Sequence, residues 1–184
     1  MQPKANKNGF TLIEILVVLI IVGLMASLAV VNLAGGSRQR ELQQKVSDLY
    51  LLMQTASEQA VLNNREYGFL LTDGGYRFVA MNDDTGKWET FSERIFRPRT
   101  FPAWIIVTSR LEADIPRLPS SNQANVQPEI VFLSSGETTP FELVFSLKEE
   151  PDVRHVIYSD GISPMVWQQP GDQPKNQERN QYFQ

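Results

Sequence analysis

The chain has 184 residues, 42% of them hydrophobic, with a formal charge of −4, a single histidine and no cysteine. That composition suits one domain with an additional segment. It excludes disulfides, thiolate metal sites, cysteine nucleophiles and His-rich metal centres. A mildly acidic chain also argues against general nucleic-acid binding, which needs clustered Lys and Arg to neutralise phosphates.

The first nine residues carry Lys4 and Lys7 and no acid. An apolar run follows, charge-free from Ile15 to Val31. Counted from Phe10 to Val31 it has 22 residues, about 33 Å as a helix, which matches a hydrocarbon core of roughly 30 Å. A secretory signal peptide has a shorter apolar stretch, with a small-residue cleavage site at its far end. A plain signal anchor fits the length but leaves Glu14 as no more than the charged edge of the span. A carboxylate inside an apolar helix costs about 2.5–3.5 kcal/mol at the centre and less near an end.

The local sequence Gly9-Phe10-Thr11-Leu12-Ile13-Glu14 resembles the cleavage and methylation signal of type IV pilins and type II secretion pseudopilins. The resemblance implies that a prepilin peptidase removes residues 1–9 as a leader by cutting between Gly9 and Phe10. Phe10 is then N-methylated, and Glu14 serves filament assembly by pairing with the Phe10 amine of an adjacent subunit. The physical chemistry agrees. Phe10 and Glu14 are four apart on a helix face, the new α-amine is cationic near neutral pH, and a carboxylate is favoured near a helix N-terminus. Removing Lys4 and Lys7 takes the formal charge from −4 to −6. The basic leader predicts a cytoplasmic N-terminus. The chain is then a single-pass inner-membrane protein, with residues 10–31 in the membrane and the remainder periplasmic.

Gly35-Gly36 predicts a bend or loosened turn. Beyond it Leu42, Val46, Leu49, Met53, Ala56 and Ala60 recur at helical spacing, which predicts an amphipathic helical extension over residues 32–65 packed on a sheet. Asn63-Asn64 ends it. The period then changes. Tyr67–Thr72 and Tyr76–Met81 flank Asp73-Gly74-Gly75, a hairpin signal. Lys87–Phe91, Trp104–Ser109, Glu129–Leu133, Phe141–Leu147, Val153–Tyr158 and Met165–Trp167 are further predicted strands. Residues 113–128 read as a long loop, and the polar stretch 168–184 as a disordered tail. One long helix followed by short strands gives an α+β class: a pilin-like N-terminal helix packed on antiparallel sheets, with the β-rich domain over residues 66–167.

Tyr67-Gly68-Phe69, Tyr76-Arg77-Phe78, Glu129-Ile130-Val131-Phe132, Ser135-Gly136-Glu137 and Pro140-Phe141-Glu142-Leu143 together resemble the type II secretion minor pseudopilin H family and its relative, the type IV pilus minor pilin FimT. This resemblance implies a structural subunit of the pseudopilus, not an enzyme, with no cofactor and no metal. Its implied role is to link the tip complex to the shaft during export of folded proteins. The implied partners are the other minor pseudopilins, the major pseudopilin, the prepilin peptidase, the inner-membrane secretion platform and membrane lipid. The alternative is a FimT-like minor pilin that binds DNA for uptake.

No nucleophile-elbow pattern accompanies Ser134, Ser135, His155 or Asp160, and Asn82–Gly86 lacks calcium-loop spacing. Arg94, Arg97 and Arg99, interleaved with Phe96 and Phe101, form the one basic-aromatic cluster, a candidate partner contact. A solvated loop is the competing reading.

Overall fold

The structure, a computed structural model, describes residues 12–91, 93–111 and 127–172, with backbone alone over 26–35. The chain divides into two compact units, Met1–Arg40 and Glu41–Gln184. The predicted leader and cleavage bond lie outside the described residues, as do most of the predicted 113–128 loop and residues 173–184 of the predicted tail.

The helix α1 covers Leu12–Leu62. It is helical through Gly35-Gly36, with no loosened turn there. Each glycine costs about 1 kcal/mol relative to alanine, but propagation in a helix already formed on both sides is cooperative. Among the described residues no helix is long and apolar enough to cross a membrane. Phe10, Thr11 and the side chains of residues 26–31 belong to the apolar run but are not among those described.

At its C-terminus α1 closes with a left-handed residue, Asn64, at φ 47°. Arg65 N–H donates to Ala60 O at 3.0 Å, and Asn64 N–H to Val61 O at 3.3 Å. This pair is the Schellman arrangement, and it satisfies carbonyls that the helix end would leave open. Asparagine tolerates the left-handed region better than most residues.

Among the described residues nine strands follow: β1 (Tyr67–Thr72), β2 (Gly75–Asn82), β3 (Lys87–Thr90), β4 (Arg99–Thr100), β5 (Ile105–Leu111), β6 (Ile130–Phe132), β7 (Phe141–Leu147), β8 (Arg154–Ser159) and β9 (Val166–Gln168). All pair antiparallel. The first sheet has the order β3-β2-β1-β6, with β4 also on β2; the second is β5-β7-β8-β9. The α+β class expected from the sequence is what the structure shows.

The predicted helical stripe is the buried one. Leu42, Val46, Leu49, Met53, Ala56 and Ala60 are fully buried, in one cluster with Phe69, Phe78, Phe132, Phe141 and Phe145. Each large apolar side chain removed from water contributes roughly 1.5–3 kcal/mol.

The C-terminal end and the segment around Arg94 also differ from expectation. Gln168 belongs to β9, and its neighbour Gln169 is held by a bond from its N–H to Asp172 Oδ2 at 2.8 Å. Residues 168–172 are therefore part of the fold and not of a disordered tail. The short helical turn Arg94–Phe96 and strand β4 were not anticipated.

Strand β4 lies so close to β2 that a Cβ built on Gly75 would sit 2.2 Å from Arg99 O, a backbone atom. Gly75→Ala is expected to push β4 off β2 and cost about 1–3 kcal/mol, the range for an overpacked site. A thermal melt measures this. An unchanged midpoint would show that β4 yields without loss.

Candidate functional site

Glu14 stands in the first turn of α1 and is exposed, on a segment whose large apolar residues from Leu12 to Met25 are exposed as well. The surface of this segment is apolar except at its head. Such a surface needs lipid or other apolar helices around it. Gly9 and Phe10 lie outside the described residues, so the predicted pairing partner of Glu14 has no described position.

The Arg94, Arg97 and Arg99 cluster divides. Arg94 and Arg97 are exposed. The interleaved Phe96 is fully buried, with its ring 4.5 Å from Phe91 and 5.2 Å from Phe78. Phe101 packs on Tyr76 at 5.2 Å and Phe145 at 5.9 Å. Phe96 thus serves the core, while Phe101 is half-buried against it.

Arg99 turns inward. It donates through Nη2 to Ile95 O at 3.4 Å and lines a small cavity with Lys45, Asp48 and Tyr76. Burial pushes the Tyr76 phenol up; Arg99 opposes this and Asp48 reinforces it. Arg99 is therefore a structural cation holding β4 against β2, while Arg94 and Arg97 keep the exposure that a partner contact needs. Sequence reading missed Tyr76, Asp48 and Lys45 as its neighbours, because they come together only once α1 and β2 pack.

The groups that suggest hydrolase chemistry do not assemble. Burial pushes the Asp160 carboxyl up, but bonds from Ser163 and Ile162 outweigh it and hold the group below its ordinary value. Those donors are Ile162 N–H at 2.9 Å, Ser163 N–H at 2.6 Å and Ser163 Oγ at 2.8 Å. His155 is buried on β8, its ring 5.8 Å from Trp167, and its Nδ1 has no hydrogen-bond partner. The Asn82–Gly86 segment is a polar turn in which Asn82 Oδ1 accepts from Asp84 N–H and Thr85 N–H at 3.0 and 3.1 Å. Among the described residues no group of His, Asp and Glu could hold a metal ion.

Burial lowers the His155 pKa from its ordinary value. Below about pH 6.5 the unfolded chain binds a proton that the native chain refuses. Stability is expected to fall as pH drops from there toward the native pKa, and His155 contributes no slope above that window. Unfolding free energies of the protein and of His155→Gln, measured from pH 4.5 to 8, should differ by a constant amount above pH 7, with the parent losing stability relative to the variant below it. A difference that stays constant down to pH 4.5 would contradict this.

Glu142 is a second residue whose environment the sequence did not reveal. Its position among inward-facing Phe141, Leu143 and Phe145 predicts an exposed side chain, yet it is 2% exposed. It lies directly across from Arg110 on β5, at 3.8 Å.

Residues 45–161 match the family model described as Type II transport protein GspH, and residues 4–30 match the Prokaryotic N-terminal methylation motif. The chain is 33% identical over 162 residues to the type II secretion system protein H of Pseudomonas aeruginosa, covering 84% of this chain and 92% of that one. It is 26% identical over 161 residues to the corresponding protein H of Aeromonas hydrophila, covering 83% and 87%. A shorter match, 40% over 67 residues, is to the type II secretion system core protein G of Escherichia coli, covering 36% of this chain and 46% of that one. The fold is similar to the minor pseudopilin EpsH from the type 2 secretion system of Vibrio cholerae. The TM-score is 0.60 at 22% identity, over 72% of this chain and 99% of that one.

Proposed function

The chain belongs to the GspH family of type II transport proteins as a minor pseudopilin, and we propose that it links the tip complex of the pseudopilus to its shaft. The relatives lie on the secretion side, so the FimT-like, DNA-binding alternative is not favoured. The family is structural, and the chain acts as a substrate of the prepilin peptidase with no catalytic role of its own.

In this reading the peptidase cuts between Gly9 and Phe10, and Phe10 is N-methylated. The apolar run 10–31 anchors the chain in the inner membrane with the folded domain in the periplasm. On assembly the run moves from lipid into a bundle of like helices. There Glu14 pairs with the Phe10 amine of an adjacent subunit, because an unpaired charge in a low-dielectric bundle is costly. Arg94 and Arg97 are the candidate contacts to a neighbouring subunit's acidic surface. One observation carries the reading: a single helix holds a lone carboxylate in its first turn, an exposed apolar surface after it, and a buried stripe in its second half.

The test is co-expression of the full chain with a prepilin peptidase, followed by the mass of its N-terminal peptide. A start at Phe10 with one added methyl group, about 14 Da, is the expected result. A persistent Met1 start beside an active peptidase would reduce residues 10–31 to an ordinary anchor and remove the basis for filament entry.

A further inference from the structure

The sheets have exposed edges, and most are blunted. Strand β3 is four residues long and carries Lys87 and Glu89. The outer side of β6 is taken by Thr138, which bridges to Phe132, and by Thr139 N–H, which donates to Val131 O. Strand β9 has three residues. Among the described residues strand β5 is the exception. It has seven residues, Ile105–Leu111, mostly β-branched or apolar, with no proline and one charge, Arg110. Natural proteins normally protect such an edge with charges, prolines, bulges or a covering element.

The register shows which groups of β5 are open. Lys148 N–H donates to Trp104 O at 2.9 Å, in line with the pairing of Ile105 with Leu147. Hydrogen-bonded pairs alternate along an antiparallel ladder. Ile106, Thr108 and Arg110 therefore bond to β7, and the backbone groups of Ile105, Val107, Ser109 and Leu111 point to the outer edge. Ile105 N–H is taken by Pro102 O at 3.0 Å. Among the described residues Val107, Ser109 and Leu111 have no backbone partner on that edge. Beside it runs a cleft of about 300 Å3, lined by Leu71, Phe101, Pro102, Ile105 and Val107 among others.

We propose that the outer edge of β5 takes up an extended segment of a neighbouring filament subunit of different sequence, adding a strand to the second sheet. Backbone groups of Val107, Ser109 and Leu111 supply the pairing, and alternate side chains of the incoming segment enter the cleft, whose apolar wall is Leu71, Phe101, Ile105 and Val107 beside Thr72. Strand addition draws affinity from main-chain bonds and selectivity from pockets at every second residue. The segment that fits is therefore extended and apolar at alternate positions. A second copy of this chain is the poorer occupant. Pairing of two β5 edges about a two-fold axis is an isologous contact that closes on itself, whereas a filament grows through heterologous contacts. The proposal rests on the filament-subunit reading above.

Residue-resolved hydrogen exchange tests it, comparing the dilute full-length mature chain in detergent with the same chain recovered in assembled pseudopili. In the isolated chain the Thr108 and Arg110 amides should exchange slowly and those of Val107, Ser109 and Leu111 rapidly. On assembly the latter three should slow at least about tenfold, equivalent to roughly 1.4 kcal/mol. Ser109→Pro removes one edge donor and leaves the β7 ladder intact, a placement that edge strands tolerate. It should melt like the parent yet lose the protection at Val107 and Leu111, while Thr108→Lys, on the solvent face, keeps it.

Rapid exchange of the three amides inside the filament would overturn the proposal and leave the filament reading standing. So would slow exchange in the dilute chain, which means that the edge is already covered. Protection that grows with the concentration of the purified chain alone would assign the edge to a second copy and overturn it too. Absence of the chain from the filament fraction would sink both readings together.

Discussion

Glu14→Val and Glu14→Ala are expected to be processed normally and to fail in assembly. On the proposed reading the peptidase acts at the Gly9–Phe10 bond, four residues upstream, so the N-terminal peptide of either variant should still begin at Phe10. Insertion into the membrane should not suffer, since a carboxylate in an apolar helix costs up to about 2.5–3.5 kcal/mol and both variants remove it. What is lost is the counter-charge for the neighbouring Phe10 amine. That amine would enter the helical bundle unpaired, and breaking one side of a buried pair costs about 3–5 kcal/mol. Recovery of the variant in sheared pseudopili, against total membrane content, measures the effect. A drop of about a hundredfold corresponds to 2.7 kcal/mol and is a conservative expectation. Glu14→Asp, which keeps the charge, should recover part of the loss. Parental incorporation of the valine variant would refute the role given to Glu14.

The folded domain has its own most sensitive point. Phe69 is fully buried in the middle of β1, paired with Phe78 on β2 and Ile130 on β6. Its ring lies 5.3 Å from that of Phe78 and 5.7 Å from that of Tyr76. Phe69→Ala should cost about 3–5 kcal/mol, because the lost burial is joined by a cavity that close-packed neighbours cannot fill. Against a total of roughly 5–15 kcal/mol, that is a large share. At about 2–4 °C per kcal/mol for a chain of this size, the melting midpoint should fall by roughly 10 °C. Phe69→Leu should lose much less. A midpoint within a degree or two of the parent would mean that the sheet core repacks freely.

Much of this fold is legible in the sequence because local signals and packing agree. Strands β1 and β7 have the predicted bounds, and β2 lies within a residue of them. In β1 and β2 the Asp73-Gly74 turn fixes the register. In β7 an apolar residue at every second position marks the buried face. The helix end at Asn63-Asn64 is readable for a similar reason, since asparagine accepts the backbone that the cap requires.

The failures share a cause. The Arg94–Thr100 stretch has no period, three arginines and a proline, and nothing local says that Phe96 plugs the core while Arg99 turns inward. The Gly35-Gly36 pair signals a loosened turn, yet helix propagation from both sides overrides two unfavourable residues. Of the candidate site, Gly9, Phe10 and Glu14 are readable as a motif because they lie within one short linear segment, residues 4–30, that matches the N-terminal methylation motif. Arg99 with Tyr76, and Glu142 with Arg110, are invisible until distant strands meet.

The Asp160 loop has a consequence for chemical ageing. An Asp-Gly sequence is prone to cyclise when the glycine nitrogen attacks the preceding side-chain carbonyl, yielding isoaspartate. Both reactants are occupied at Asp160-Gly161: the carboxylate by Ile162 and Ser163, and the Gly161 N–H by Ser159 Oγ at 3.1 Å. The other such pair, Asp73-Gly74, is exposed at a hairpin tip. A long-lived copy of the protein would accumulate backbone damage at the hairpin first, and at Asp160 only after local unfolding. Isoaspartate at position 160 would thus record how often that corner of the domain has opened.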